Sequence, residues 1–201
     1  LLSQNFRSRP EILEAANDVF SLVMKKEAGE LDYTQAEALV PGAQFPESPG
    51  PKVELHCHLD GSLSKEFLMQ TLQLSTLDMH TIQAPANCQS LAEYLTCFDL
   101  PVSALQEKEH IRDAVVDVVR QAAAENVRYM EIRFAPMLSV NSHLDLENVV
   151  QAAVYGCQKA FDRYGVFTNL ILCAMRHHSP QQNHLVVRCA REFLGNGVCA
   201  L

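Results

Sequence analysis

The chain has 201 residues, 48% of them hydrophobic and 20% charged, with a formal net charge of −8 from 16 basic and 24 acidic side chains. Such composition is globular and excludes wholesale disorder. A closed eight-stranded β/α barrel typically takes about 250 residues, so the length excludes a comfortable one. The acidic balance argues against electrostatic binding of nucleic acid or of an anionic membrane by the chain as a whole.

The chain starts at Leu1, and its first residues do not read as a signal peptide. No apolar run reaches the roughly 18 residues of a membrane-spanning helix. Residues 10–28 are predicted helical. Ser8 can cap them, Pro10 suits the first turn, and Ile12, Leu13, Ala16, Val19, Phe20 and Val23 form an apolar stripe at helical spacing. Residues 34–52 carry Pro41, Gly42, Pro46, Pro49, Gly50 and Pro51, the composition of a linker or boundary. One amphipathic helix with a tail cannot bury a core of its own. Residues 1–50 are therefore expected to be one unit and residues 51–201 another.

After Pro51 the pattern changes. Strands are predicted over residues 53–58, 127–134, 166–175 and 197–201. Helices are predicted over residues 64–74, 90–99, 107–125, 144–164 and 181–194. Strands alternating with long helices imply βα units, a parallel sheet and the α/β class.

Seven cysteines are scattered along the chain without any CxxC spacing. An odd, irregular set suits reduced, mostly buried thiols and a cytoplasmic protein rather than a disulfide framework.

The segment with chemistry in it is His56-Cys57-His58-Leu59-Asp60-Gly61. Side chains alternate along a strand, so His56 and His58 share a face and Cys57 takes the other. Two imidazoles at the C-terminal end of a parallel strand lie where sites form in α/β folds, and imidazole suits zinc. Asp60 follows just past the strand, where it can orient a ligand, and Gly61 permits a sharp exit.

Residues 51–63, from Pro51 through Val53, Glu54, Leu55, His56, Cys57, His58, Leu59, Asp60 and Gly61 to Leu63, resemble the opening strand of the adenosine deaminase family. The resemblance continues through residues 90–99, residues 127–136 and residues 173–178. It implies the N-terminal portion of a TIM (β/α)₈ barrel: about three βα units and the start of a fourth strand. It further implies Zn²⁺, with His56 and His58 as two of its ligands, and His58 and Asp60 as substrate-binding residues, Asp60 at the ribose. The reaction implied is hydrolytic deamination of adenosine to inosine. Zinc lowers the pKa of a bound water, hydroxide attacks C6 and ammonia leaves. The HxE and PCxxC pattern of cytidine-type zinc deaminases is absent.

The family also uses a third zinc-binding His, a proton-shuttling Glu, another His near the water and an Asp-Asp pair. All of them follow the strand that Val198 begins. The expectation is therefore a chain without turnover of its own, and no catalytic residue is assigned within it. His177 and His178 match the family without being its ligands. His80, His110, His143 and His184 show no ligand spacing and read as solvated or capping residues. Asp113, Asp117 and Arg120 read as a solvated helix face. Ser139 and Ser142 lack a nucleophile elbow, and neither a Walker A nor a Rossmann glycine motif occurs.

The first fifty residues carry a different resemblance. The run from Leu2 through Gln4, Asn5, Phe6, Arg7, Ser8, Arg9 and Pro10 to Leu13 is similar to a motif of UvrD/Rep-like superfamily 1 helicases. The continuation to about Gly50 is most similar to the AddA-type subunit of bacterial helicase–nucleases. That resemblance implies that Arg7 reaches an ATP γ-phosphate, a role suited to the planar guanidinium fork. With 4 basic and 8 acidic residues, the segment is not a nucleic-acid tether. The two resemblances meet at residues 50–56, as in a genetic fusion or a mis-joined sequence. The other readings kept open are a helicase–nuclease fragment and a non-catalytic interaction module, with a purine nucleoside as partner if the barrel is completed.

Overall fold

A computed structural model describes residues 55–85 and 87–201, together with Gln4, Asn5, Asn17, Ala38, Val40 and Pro41. The chain divides into two compact units, Leu1–Glu54 and Leu55–Leu201. In the first, Gln4–Asn5 pairs in parallel with Val40–Pro41, a short strand inside the stretch expected to be linker. Asn17 is helical, while the rest of the helix expected over residues 10–28 lies outside the described residues.

The second unit is a four-stranded parallel sheet in sequence order. Its strands are β1 (Leu55–His58), β2 (Tyr129–Phe134), β3 (Phe167–Leu172) and β4 (Val198–Ala200). Its helices are α1 (Lys65–Thr71), α2 (Leu91–Leu95), α3 (Asp99–Ser103), α4 (Lys108–Ala124), α5 (Leu146–Tyr164) and α6 (Pro180–Glu192). Parallel neighbours need crossovers of a dozen or more residues, and α4, α5 and α6 fall between successive strands to provide them.

Alternation sets the two faces of the sheet. In β2, Met130, Ile132 and Phe134 are buried, and β3 buries Thr168, Leu170 and Leu172 beside them. Helix α4 meets this face with Ile111, Ala114, Val115, Val118, Val119 and Ala122, at the spacing of one helical stripe. Full burial of each large aliphatic side chain there contributes about 1.5–3 kcal/mol relative to exposure. Helix α5 joins the same core through Val149, Val150, Ala153, Cys157 and Ala160. A Cβ on Gly156 would lie 2.7 Å from the Arg112 carbonyl oxygen and 2.8 Å from Val115 Cβ, so glycine is what lets α5 approach α4.

The helix ends follow local chemistry. Ser64, Asp145 and Ser179 cap α1, α5 and α6 with side-chain oxygens, and Ser179 forms a reciprocal box with Gln182. Helix α1 stops at Thr71, earlier than expected, because Gln73 turns left-handed (φ 54°) and Leu74 N–H closes on the Met69 carbonyl. The single helix expected over residues 90–99 is instead α2, a 3₁₀ turn at Thr96–Phe98, and α3. The Thr96 hydroxyl donates back to the Glu93 carbonyl, and Pro101, which has no N–H, sits in the first turn of the new helix.

Candidate functional site

Strand β1 carries the chemistry-bearing pair on its exposed face. The rings of His56 and His58 lie edge to face with centroids 6.1 Å apart. Cys57 points to the other face, where it packs against the core, and burial pushes its thiol up. Parallel register places His56 beside Glu131 and His58 beside Arg133, so these four residues share one face of the sheet. That face continues in a hydrogen-bonded row. Tyr129 Oη donates to Glu131 Oε1 at 2.8 Å, and Asn169 Nδ2 donates to Tyr129 Oη at 3.2 Å. Arg133 Nε reaches Cys173 Sγ at 2.7 Å.

Past β1 the backbone turns at once. Leu59 N–H still bonds the Arg133 carbonyl at 2.9 Å, and Ser62 N–H closes on the Leu59 carbonyl at 3.3 Å. Asp60 projects from this turn. Its Oδ1 is buried and has no hydrogen-bond partner. Burial pushes its carboxyl up from the ordinary value, while the neighbouring His58 and the backbone amides of Asp60 and Gly61 pull the other way. A buried acceptor without a partner is costly and marks a place where a ligand donor fits.

A cavity of about 430 Å³ opens beside it, lined by His58, Asp60, Gly61 and Ser62 and walled by Ile82, Tyr94, Cys97 and Phe98. The volume falls in the usual range for small-molecule sites. The apolar wall comes from the segment between α1 and α3, which sequence reasoning did not place at the site. Its signal was the aromatic pair Tyr94 and Phe98 at i, i+4, whose rings meet at 5.5 Å. His56 lies outside the cavity lining.

His56 and His58 fit two positions of a zinc centre by donor type and shared face. The described residues hold no group of three or more His, Cys, Asp or Glu side chains that could hold a metal ion. The pair thus fits part of a donor set, not a closed one. His177 and His178 follow β3 and pair with each other, ring centroids 4.5 Å apart, without joining such a group. His178 Nδ1 is buried without a partner, and burial together with His177 pulls the ring's pKa down. His143 forms an exposed pair with Glu107 at 3.0 Å, and Ser139 is buried. Arg7 lies outside the described residues.

One reading of the sequence needs correction. Asp117 is not on a solvated face: it is buried and accepts from Ser64 N–H, Ser64 Oγ, Arg120 and Gln121. Asp113 is partly exposed and pairs with Arg112 at 2.7 Å and with Lys159 of α5 at 3.0 Å.

A parallel sheet in sequence order, with helical crossovers and with imidazoles and a carboxyl at the end of its first strand, is the arrangement of the first βα units of a (β/α)₈ barrel. The adenosine deaminase family profile matches residues 51–201, and the chain belongs to that family. The adenosine deaminase of Clostridium perfringens is 36% identical over 160 residues, covering 75% of this chain and 48% of the relative. That of Enterococcus faecalis is 36% identical over 156 residues, covering 74% and 46%. The chain spans about half the length of the curated relatives it matches. Among solved structures, Arabidopsis ADAL complexed with GMP superposes with a TM-score of 0.60 at 26% identity, covering 74% of this chain and 47% of that one. A zinc-bound amidohydrolase from Burkholderia ambifaria, 20% identical with a TM-score of 0.61 over 75% of this chain and 43% of that one, shares the fold.

Proposed function

We propose that the unit at residues 55–201 carries the first part of a zinc-dependent site for hydrolytic deamination of adenosine, and that this chain by itself does not turn adenosine over. The observation that supports it is the juxtaposition at one strand end of two same-face imidazoles, a buried carboxyl with a free acceptor, and a ligand-sized cavity. Family membership supplies the reaction class. The relatives at 33–36% identity are named adenosine deaminases, while neighbours complexed with IMP or GMP are 25–26% identical. Adenosine is therefore the preferred purine.

In this reading His56 and His58 would hold zinc through imidazole nitrogens. When bound, zinc supplies a water whose pKa is lowered towards neutrality. His58 also faces the substrate. Asp60 Oδ1 accepts from a ribose hydroxyl, which satisfies the orphaned acceptor. Tyr94 and Phe98 cover the apolar face of the nucleoside and exclude water. By the resemblance, the remaining zinc ligand, the proton-shuttling Glu and the Asp pair that the family uses fall after the strand that Val198 begins. The odd, scattered set of seven cysteines without CxxC spacing supports a reducing compartment such as the cytoplasm.

For residues 1–50 we infer a separate origin on the helicase-like motif around Arg7. Without a Walker A motif, the chain is expected not to bind ATP, and saturable ATP binding would favour the helicase–nuclease reading instead.

The activity reading is tested by adenosine absorbance with Zn²⁺ present. The chain alone gives no conversion. Adding the C-terminal half of the Clostridium perfringens relative restores it, and His58→Asn abolishes the restored activity. Conversion by the chain alone overturns the partial-site reading. A folded, associated pair that leaves adenosine intact overturns the deaminase reading.

A further inference from the structure

The turn that presents Asp60 is tied down from behind by helix α4. Asp117 Oδ2 accepts from Ser64 N–H at 2.8 Å, and Asp117 Oδ1 accepts from Ser64 Oγ at 2.8 Å. Ser64 Oγ in turn accepts from Phe67 N–H at 3.1 Å and caps α1. One turn along α4, Gln121 Nε2 donates to the Ser62 carbonyl at 2.9 Å and to Asp117 Oδ2 at 3.2 Å. Arg120 Nη2 closes the carboxylate's shell at 2.7 Å from the solvent side. The other end of the turn is held by Leu59 N–H on the Arg133 carbonyl of β2. Asp60 and Gly61 are thus suspended between two anchors, one on the sheet and one on a helix more than fifty positions away in sequence.

A buried carboxylate flanked by Val115, Val116, Val118 and Val119 is an expensive choice for a helix core face. Its four hydrogen bonds offset that cost only in this geometry. A helix cap alone needs no remote carboxylate, since Ser64 Oγ already receives Phe67 N–H. What the carboxylate adds is a fixed distance between α4 and the turn, and therefore a fixed aim for the Asp60 side chain into the cavity.

We propose that Asp117 and Gln121 are positioning residues that clamp the 60–64 turn and set the orientation of Asp60 beside His58. The assignment rests on the deaminase reading of the site. It predicts local loosening when the clamp is cut, not general destabilisation. Sites held by side chains that are themselves locked keep the sub-ångström order that binding needs.

The test is backbone amide hydrogen exchange on the full chain, with its melting transition measured alongside. Gln121→Met keeps the side-chain length and removes the bonds to the Ser62 carbonyl and to Asp117. Asp117→Asn keeps one acceptor oxygen, and Asp117→Ala removes both. Arg120→Ala takes away the solvent-side partner without touching the turn and serves as the control. Exchange at residues 60–64 rises about tenfold in Gln121→Met, more in Asp117→Ala and to an intermediate level in Asp117→Asn. Residues 130–134 and 168–172 exchange as in the unmodified chain, and Arg120→Ala leaves the turn unchanged. Turn and strands rising together in Gln121→Met, or a turn that does not respond, overturns the clamp. If Asp117→Ala fails to fold, Gln121→Met still decides. Binding of Zn²⁺ by the unmodified chain, lost in His56→Asn, tests the metal reading separately, so the two can fail independently.

Discussion

His56 and His58 present their imidazoles on the same face of β1, 6.1 Å apart, and Asp60 follows two positions later with a buried, unpartnered oxygen. Strand alternation makes the first relationship unavoidable. The sharp turn after Leu59 makes the second. Together they put metal-binding and hydroxyl-binding chemistry within one five-residue span.

Asp60 carries a stability cost for its position. Burial raises its native pKa above the unfolded value, so the ionised form is penalised in the fold. The sign follows: stability falls as pH rises from the ordinary aspartate value of 3.8 through the raised native value. Asp60→Asn is expected to raise the melting temperature near pH 7 by about 2 °C. The gain disappears below pH 3.8, and thermal melts at the two pH values check it.

Asp113 has the opposite sign. The Arg112 guanidinium and Lys159 hold its carboxyl below the ordinary range. Its contribution is fully present above pH 3.8 and is lost as pH falls through the lowered native value. The side chain is 44% exposed, so solvent screens the pair. Asp113→Asn is expected to cost less than about 1 kcal/mol at pH 7 by urea unfolding, and progressively less as pH falls below 3.8.

Gly156 is the tightest point of the α4–α5 contact. With a Cβ set 2.7 Å from a backbone oxygen, Gly156→Ala must push the helices apart. The expected loss is about 1–3 kcal/mol, read as a lower denaturation midpoint with an unchanged slope. Leu185→Ala, on the exposed side of α6, is expected to shift the midpoint little.

Burial pushes the thiols of Cys157 and Cys189 up to about 12 and about 11. The thiolate is the reactive form. Alkylation of the native chain at pH 8 should therefore leave both unmodified, whereas denaturant should expose the thiols of all seven cysteines. Peptide mass mapping before and after unfolding distinguishes the two.

Much of this architecture was legible in the sequence. Met130, Ile132 and Phe134 alternate with Glu131 and Arg133, and that period alone marks β2 as a strand with one buried face. The HxH pair could be placed on one face by the same rule. Residues 90–103 were less legible. The stop at Thr96 depends on a hydroxyl returning to the Glu93 carbonyl, and the restart on Pro101 falling in a first turn. Asp117 was misread because helical spacing puts it in line with Asp113 and Arg120. Its position inside the valine run was the better guide, since an acid there must find buried partners. The walls of the cavity depend on which segment folds over β1, a tertiary fact; the Tyr94 and Phe98 pair at i, i+4 marks an aromatic patch but not the strand end it covers.

The most direct test is calorimetric titration of the chain with Zn²⁺, compared with the His56→Asn/His58→Asn double variant. Both histidines are exposed, so the variant should melt at nearly the same temperature as the unmodified chain. The account predicts saturable zinc binding by the unmodified chain, weakened at least about tenfold in the double variant, since losing the ligands costs no less than losing the partners that orient them. Equal binding by both proteins, or none by the unmodified chain, would contradict it.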